Sequence, residues 1–136
     1  GDLFFWTDDL SVGIGRIDVQ HMAFISFIND IYRSLTEPRS IGIVREVLDN
    51  LIDYAKTHFA EEEALFDRYD YPDADAHRKE HEDFLARVLE YHEELTSGDT
   101  QVSLSVSLFM KNWLTRHISV SDKKYADFFR ENKIEI

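Results

Sequence analysis

The fold is decided by residues 44–65, which read VREVLDNLIDYAKTHFAEEEAL. Apolar side chains recur there at steps of three and four residues, which puts them on one face of an amphipathic α-helix. That face consists of Val44, Val47, Leu48, Leu51, Ala55 and Leu65. His58 and Glu62 fall on the same face. The stretch therefore predicts a long helix that turns two ligand-type side chains toward the interior.

One further amphipathic helix is predicted on each side of this stretch. The helix before it starts at the N-cap residue Asp18 and ends at Glu37, because Pro38 moves the preceding residue out of the helical region. The helix after it is capped by Asp73 and runs to a polar loop at 96–99. Both helices carry histidines among their apolar positions.

The two ends of the chain complete the predicted architecture. Residues 1–18 show no sustained period and are predicted to form an extended arm, with Trp6 buried as its anchor. A fourth helix starts near Val102 and carries His117, and a short tail helix covers about 123–131. Because short loops make successive helices antiparallel neighbours, the prediction is an all-α, up-down-up-down four-helix bundle. It forms one domain over 1–136, divided into the arm at 1–18, the bundle at 19–118 and the tail helix at 119–136.

Composition narrows the functional classes. The 136 residues include 15 Lys and Arg against 27 Asp and Glu, a net charge of −12, which argues against nucleic-acid and anionic-membrane partners. The chain has no cysteine, so disulfides, thiolate metal sites and iron–sulfur clusters are excluded. No apolar run approaches the roughly 20 residues of a membrane span, and no signal-like start is present. We therefore expect a cytoplasmic domain without direct membrane contact.

Seven ligand-type side chains are predicted to meet at one level of the bundle. Counted from the turn at Pro38, His21 and His58 lie equally far along their helices to within three residues, which is only about 4.5 Å of helix rise. The other turns give similar agreement, whereas scattered core histidines would have no reason to match in height. The seven are His21, His58, Glu62, His77, His81, His117 and Asp122.

Asp122 requires a separate argument. It lies five residues beyond His117, which on a continuing α-helix turns its side chain about 140° away from that histidine. It joins the layer if the fourth helix breaks near Ser119 and Ser121, because serine favours caps over helix interiors. The alternative is that Ser119 and Asp122 form a capping box for the tail helix. The spacing leaves both possibilities open.

A different metal chemistry also fits part of the sequence. Residues 77–81 read HRKEH, which matches the H-x-x-E-H pattern of inverted zinc proteases. His77 and His81 would then bind zinc and Glu80 would act as the general base. This alternative, a metal-dependent hydrolase, leaves the remaining histidines without a role. A purely structural bundle is a further alternative and predicts no metal at all.

The size of the donor set indicates two metal ions. Five imidazoles and two carboxylates exceed what one ion takes, since zinc prefers four ligands. Two ions that share bridging carboxylates accommodate all seven. A nitrogen and oxygen donor set without thiolate suits iron, manganese, zinc or copper. The residues therefore predict a two-metal site and leave the element open.

The ordered set of positions resembles the haemerythrin family. The pattern is His21, His58-x-x-x-Glu62, His77-x-x-x-His81 and His117-x-x-x-x-Asp122. The stretch that leads from Trp6 through Gly13 to His21 is similar to the bacterial branch, bacteriohaemerythrin. The resemblance covers residues 6 to about 130, which is nearly the whole chain.

The resemblance implies a specific cofactor. It implies two iron ions, joined by an oxo or hydroxo group and by the carboxylates of Glu62 and Asp122. His77, His81 and His117 would complete one iron. His21 and His58 would hold the other, which keeps one position open for O₂. The residues implied around that open position are Phe24, Phe59, Trp113, Leu114 and Ile118.

The expected function follows from the resemblance. We expect reversible O₂ binding rather than catalysis, so no catalytic residue is assigned. The chain would act as an oxygen carrier or store. Alternatively it would be the oxygen- or redox-sensing domain of a signalling protein such as a chemotaxis receptor, to which it would be covalently attached. NO is the alternative gas ligand.

Overall fold

Four long helices account for most of the chain. The computed structural model describes residues 2–34, 41–96 and 101–136. The elements are α1 (Gly15–Arg33), α2 (Ile41–Arg68), α3 (Ala74–Thr96), α4 (Val102–Arg116) and α5 (Lys123–Glu131). A short 3-10 helix covers Asp8–Leu10, and a π-helical segment, His117–Asp122, joins α4 to α5. Within the described ranges there is no strand, and none of the helices has the length and apolarity that a membrane span requires.

The helices pack in a ring. α1 lies against α2 and α4, and α3 lies against the same two helices. A single apolar core fills the centre, and its largest fully buried side chains include Phe24, Phe66, Leu48, Leu51 and Met110. This arrangement confirms the predicted all-α, up-down-up-down bundle. The predicted end of the first helix at Glu37 lies outside the described residues.

The first helix begins earlier than the sequence predicts. It starts at Gly15, so Asp18 lies inside its first turn and is not the N-cap. The Asp18 carboxylate accepts hydrogen bonds from Ser11 Oγ at 2.5 Å and from the Val12 backbone N–H at 2.9 Å. Gly13 adopts φ +77°, a backbone conformation that favours glycine, where the chain turns into the helix. Asp18 therefore fastens the arm to the helix, and the arm ends before residue 15.

Trp6 packs against the core but is not the buried anchor of the arm that the sequence predicts. Trp6 is only half-buried, whereas Phe4 and Leu10 are buried in the core. The buried Asn29 of α1 accepts hydrogen bonds from the backbone N–H of Leu3 at 3.1 Å and of Phe4 at 3.0 Å. Its side-chain amide also donates to the Phe4 carbonyl at 2.8 Å. One polar side chain in the helix thus holds the strand-like start of the chain in place.

The fourth helix neither breaks nor is capped before the tail helix. It continues through the π-helical segment, in which the Lys123 backbone N–H donates to the Ile118 carbonyl, five residues back. Asp122 makes no capping hydrogen bond, so the predicted capping box is wrong. The α-helix is interrupted as the other alternative requires, but by a π-helical turn that starts at His117 and not by a break at Ser119 and Ser121. Since a π-helical turn closes at i+5, residues five apart share a face there. Asp122 consequently lies on the same side of the helix as His117.

Candidate metal centre

The seven ligand-type side chains meet in one buried layer of the bundle. Each of them exposes 3% or less of its surface. α1 supplies His21, α2 supplies His58 and Glu62, α3 supplies His77 and His81, and the π-helical segment supplies His117 and Asp122. Every helix of the bundle contributes, directly or through its continuation, to a single cluster of nitrogen and oxygen atoms.

The ligand atoms fall into two overlapping groups. The larger group, within which all ligand atoms lie within 4.8 Å of one another, contains Glu62, His77, His81 and His117. The smaller group contains His21, His58 and Glu62. Glu62 belongs to both groups, so its carboxylate lies between two places where an ion can be held.

Asp122 occupies a similar position between the groups. Its Oδ1 atom lies 3.0 Å from His117 Nε2 and 3.2 Å from His77 Nε2. Its Oδ2 atom lies 3.0 Å from Nε2 of His21, on the other side. The two oxygens of one carboxylate therefore face the two groups separately, which is the arrangement that a bridging ligand needs.

The donor set fits metal ions. Several deeply buried atoms have no hydrogen-bond partner in the described part of the chain, and each such atom costs about 1–3 kcal/mol. Those in the layer are both ring nitrogens of His21, Glu62 Oε1, His77 Nε2 and both oxygens of Asp122. The contacts of 3.0–3.3 Å between these nitrogens and oxygens equal the spacing of neighbouring donors on one ion with bonds of about 2.1 Å. A cation in each group would satisfy the unpaired atoms together.

The two buried carboxylates of the layer are also stabilised in their ionised form by positive charge. Burial alone would raise the pKa of Asp122, but the imidazoles of His117 and His21 hold that pKa well below its usual range. The pKa of Glu62 is also lowered, mainly by His58, although burial and the Asp122 carboxylate both act to raise it. Burial disfavours protonated His117, yet the Asp122 carboxylate raises the pKa of that imidazole to about 10. The two buried carboxylates thus require cationic partners, and bound metal ions supply them.

Three of the imidazoles are held from behind by polar side chains. In each case the Nδ1 atom, on the side of the ring away from the cluster, contacts an oxygen that fixes the ring. His58 contacts Gln20 Oε1, His81 contacts Glu63 Oε2 at 3.0 Å, and His117 contacts Glu80 Oε1 at 3.0 Å. These contacts direct the Nε2 atoms into the cluster.

The supporting residues were not recognised from the sequence, although a signal for them exists. Gln20 precedes His21, Glu63 follows Glu62, and Glu80 precedes His81. Each supporting side chain is therefore the chain neighbour of one ligand and reaches a different ligand on the adjacent helix. A polar residue next to a ligand position, at the edge of an apolar helix face, is the pattern that could have identified them.

Tyr125 of the tail helix also contacts the layer. Its hydroxyl donates to Glu62 Oε2, and its side chain is completely buried. Burial, together with the nearby Glu62 carboxylate, raises the pKa of this phenol well above its usual value. Tyr125 thus remains a hydrogen-bond donor to the shared carboxylate. This contact was not predicted from the sequence.

Aromatic side chains cover part of the layer. Phe24 lies 5.4 Å from the His58 ring, Phe59 stacks on His81 at 3.8 Å, and Trp113 stacks on His117 at 4.3 Å, measured between ring centroids. Phe24 and Phe59 are themselves in contact, and Phe59 touches Trp113. Leu114 and Ile118 are buried on the helix that carries His117.

Glu80, the base of the alternative hydrolase, lies outside the layer. Its Oε1 atom faces His117 Nδ1, and both carboxylate oxygens accept from Ser121 Oγ at 2.7 and 2.8 Å. It therefore stands behind His117, on the opposite side of that ring from the cluster. His77 and His81 belong to the larger group of ligand atoms and do not form a separate zinc site with Glu80.

The fold and the cluster define a class of protein: four-helix bundles with a buried cation site built from histidines and carboxylates. Residues 12–129 match the family model described as "Hemerythrin HHE cation binding domain". The chain belongs to the haemerythrin family, as the resemblance in its sequence predicts.

Individual relatives agree with this assignment. The chain is 38% identical to the protein "Bacteriohemerythrin" of Stenotrophomonas maltophilia, over 92% of this chain and 80% of that relative. It is 34% identical to the protein of the same name from Pseudomonas aeruginosa, over 96% of this chain and 84% of the relative. A crystal structure of wild-type hemerythrin superposes with a TM-score of 0.84 at 27% identity, covering 92% of this chain and 96% of that one.

Proposed function

We propose that this chain is a non-haem di-iron protein that binds O₂ reversibly and is not an enzyme. The observation that carries the proposal is that two carboxylates are shared between the ligand groups. Glu62 belongs to both groups, and the two oxygens of Asp122 face one group each. Five imidazoles and two shared carboxylates suit a pair of iron ions. Relatives named bacteriohemerythrin support the choice of iron and of O₂.

The two groups offer unequal numbers of donors, which is what a gas-binding centre requires. With Asp122 added, the larger group has three imidazoles and two carboxylates, and the smaller group has His21, His58 and the same two carboxylates. The ion in the smaller group would therefore keep a position free for one small ligand. When bound, the ferrous pair supplies the electrons that make O₂ binding favourable.

The protein residues would have distinct roles around this pair. His21 and His58 would hold the ion that takes O₂, and His77, His81 and His117 would hold the other ion. His58, His81 and His117 would offer Nε2 as the donor atom, because Nδ1 of each is engaged on its outer side. His21 and His77 would also offer Nε2, the atom that faces Asp122 in both. Glu62, fixed by Tyr125, and Asp122 would bridge the ions.

Apolar side chains would form the gas pocket beside the smaller group. We assign Phe24, Phe59, Trp113, Leu114 and Ile118 to it. Phe24 and Phe59 contact His58 of the smaller group, and Trp113 adjoins Phe59 while it stacks on His117 of the larger group. A wall without polar groups admits a small apolar molecule but gives water no hydrogen-bond partners, so such pockets stay dry. Exclusion of water and protons slows the irreversible oxidation that would end reversible binding.

Metal analysis combined with absorption spectroscopy tests the proposal. We expect two iron atoms per chain and a spectrum that changes when air reaches the anaerobically reduced protein and reverts when O₂ is removed. Protein expressed with adequate iron that holds none, or that shows no O₂-dependent spectrum, would contradict the proposal. The same titration with NO measures whether that gas competes for the position.

Two physiological roles use the same chemistry in the cytoplasm. As a carrier or store the chain would act on its own, and as a sensor it would be covalently joined to a signalling protein. The sequence of the complete gene distinguishes them, because the second role requires signalling segments in the same reading frame.

A further inference from the structure

His58 is held by a chain of hydrogen bonds that reaches the protein surface. Its Nδ1 atom contacts Gln20 Oε1, and Gln20 Nε2 donates to Glu61 Oε2 at 2.9 Å. Arg16 donates to the same Glu61 oxygen at 3.0 Å. The Arg16 and Glu61 side chains expose 56% and 38% of their surface, whereas His58 is buried. A surface ion pair is therefore connected to a buried ligand through one amide.

The donor and acceptor groups of these residues fix the direction of each hydrogen bond from His58 through Gln20 to Glu61. An ionised carboxylate only accepts hydrogen bonds, so Gln20 must turn its NH₂ group toward Glu61. That orientation leaves the amide oxygen of Gln20, which also only accepts, facing the imidazole. Nδ1 of His58 therefore carries the hydrogen and Nε2 presents its lone pair, 3.3 Å from Glu62 Oε1. Glu61 thus determines the tautomer of a ligand that it does not touch.

The outer nitrogen, Nδ1, of the other two supported imidazoles contacts a carboxylate, whereas Nδ1 of His58 contacts an amide. His81 faces Glu63 and His117 faces Glu80, both at 3.0 Å. A carboxylate that accepts the Nδ1 hydrogen raises the basicity of the ring and makes it a stronger donor to a metal. A neutral amide polarises the ring less. The larger group thus contains two strongly supported imidazoles and the smaller group contains a weakly supported one.

We infer that Gln20 is a positioning residue, which fixes the tautomer of His58 while keeping that ring a weaker donor than His81 and His117. The inference rests on the proposed di-iron function and deepens it. A weaker donor stabilises the ferric form of the neighbouring ion less, and reversible O₂ binding depends on return to the ferrous form. The amide at position 20 therefore sets the redox preference of the ion that takes O₂.

An exchange of two side chains tests the inference without changing net charge. The double variant Gln20→Glu with Glu61→Gln puts a carboxylate behind His58 and leaves an amide at the position facing Arg16. Substitution of supporting residues typically changes metal affinity or activity 10–100-fold, and we expect an effect of similar size here, a shift of the ferrous–ferric equilibrium toward the ferric form by about tenfold or more. A tenfold shift equals a fall in midpoint potential of about 59 mV for one electron.

A second variant probes the tautomer and the affinity for a redox-inert ion. Gln20→Met removes the hydrogen bonds to His58 and Glu61 while keeping a side chain of similar length, and we expect the affinity for Zn²⁺ to fall about 10–100-fold. In the metal-free protein with its imidazoles neutral, where no bound ion fixes the tautomer, ¹⁵N spectra should show His58 losing its single Nδ1–H tautomer. Gln101→Met is the matched control, because Gln101 is exposed at the start of α4. The Gln20→Met variant provides an independent result if the double variant fails to fold.

The outcomes separate this inference from the proposed function. Suppose that the unsubstituted protein holds two irons and binds O₂, while the double variant keeps its potential and Gln20→Met keeps its Zn²⁺ affinity and tautomer. Then Gln20 has no positioning role and the di-iron function stands. If the unsubstituted protein holds no iron pair, the proposed function itself fails, whatever the variants do.

Discussion

The Oδ2 atom of Asp122 lies 3.0 Å from Nε2 of His21, although the two residues lie near opposite ends of the chain. The first helix of the bundle and the π-helical segment after the fourth are joined at this contact. The segment makes the contact possible, because an uninterrupted α-helix would turn Asp122 away from the face that carries His117.

Replacement of this carboxylate should reduce the metal content. In Asp122→Asn the charge that faces both groups is lost, and we expect iron to fall from two atoms per chain to one or fewer. Elemental analysis of purified protein measures this directly. Asp127→Asn is the control, because Asp127 is an exposed residue of α5 paired with Arg130. Retention of two irons in the Asp122 variant would remove Asp122 from the ligand set.

Removal of the metal should lower stability markedly. A ligand that binds only the folded state stabilises it by about 4.1 kcal/mol at 1,000 times its dissociation constant. The unpaired buried atoms of His21, Glu62 and Asp122 would also lose the partners that a cation supplies. We expect the melting midpoint to fall by roughly 10 °C or more, since 1 kcal/mol corresponds to several degrees in a domain of this size. Calorimetry before and after chelation checks this, and equal midpoints would rule it out.

Ile118 provides a test of the gas pocket. Ile118→Glu puts a carboxylate in a completely buried position that we assign to the gas pocket, where it should occupy or obstruct the open coordination position. We expect the O₂-dependent spectrum to be lost or strongly altered while the iron content stays near two. Val120→Glu, at a 62% exposed position in the same segment, should leave the spectrum unchanged. Normal O₂ spectra and kinetics in the Ile118 variant would exclude it from the pocket.

Asn29 should control the attachment of the N-terminal arm. Asn29→Ala removes three hydrogen bonds to the backbone of Leu3 and Phe4, and each buried group left unpaired costs about 1–3 kcal/mol. We expect a loss of about 2–4 kcal/mol in the free energy of unfolding and faster proteolysis within residues 2–10. Denaturant titration and limited proteolysis measure the two effects. The iron content should not change, since Asn29 lies two turns from His21 on α1.

The sequence predicted the bundle because the apolar period is regular where packing is regular. The stripe on α3, from His77 through Phe84 and Val88 to Leu95, is buried in the structure at each of these positions. The predicted bounds of the tail helix coincide with α5, Lys123–Glu131. Such features follow from local pattern alone, since burial of one helix face requires only the 3.6-residue repeat.

Other features depend on contacts that no local pattern contains. Asp18 resembles an N-cap, but its partners are Ser11 and Val12 in the arm, so tertiary hydrogen bonds decide its role. The π-helical turn depends on placing Asp122 and Tyr125 in the core together, whereas residues 117–122 taken alone give no period for it. The residues that support the imidazoles lie on a neighbouring helix, and the residue spacing within one helix does not show which helix is the neighbour.

The alternation of ligand and support has a consequence for how the chain reaches its native state. Gln20 and His21, Glu62 and Glu63, and Glu80 and His81 are neighbours whose side chains do different work on adjacent helices. If any one of these helices were shifted by one residue, with the rotation of about 100° that this requires, a supporting group would take the place of a ligand and the apolar face would turn away from the core. Such a bundle would lose its apolar packing and its ligand set together. The helix alignment that buries the apolar stripes is therefore the same alignment that brings the ligands to one level, so hydrophobic packing and ion binding favour a single arrangement of the bundle.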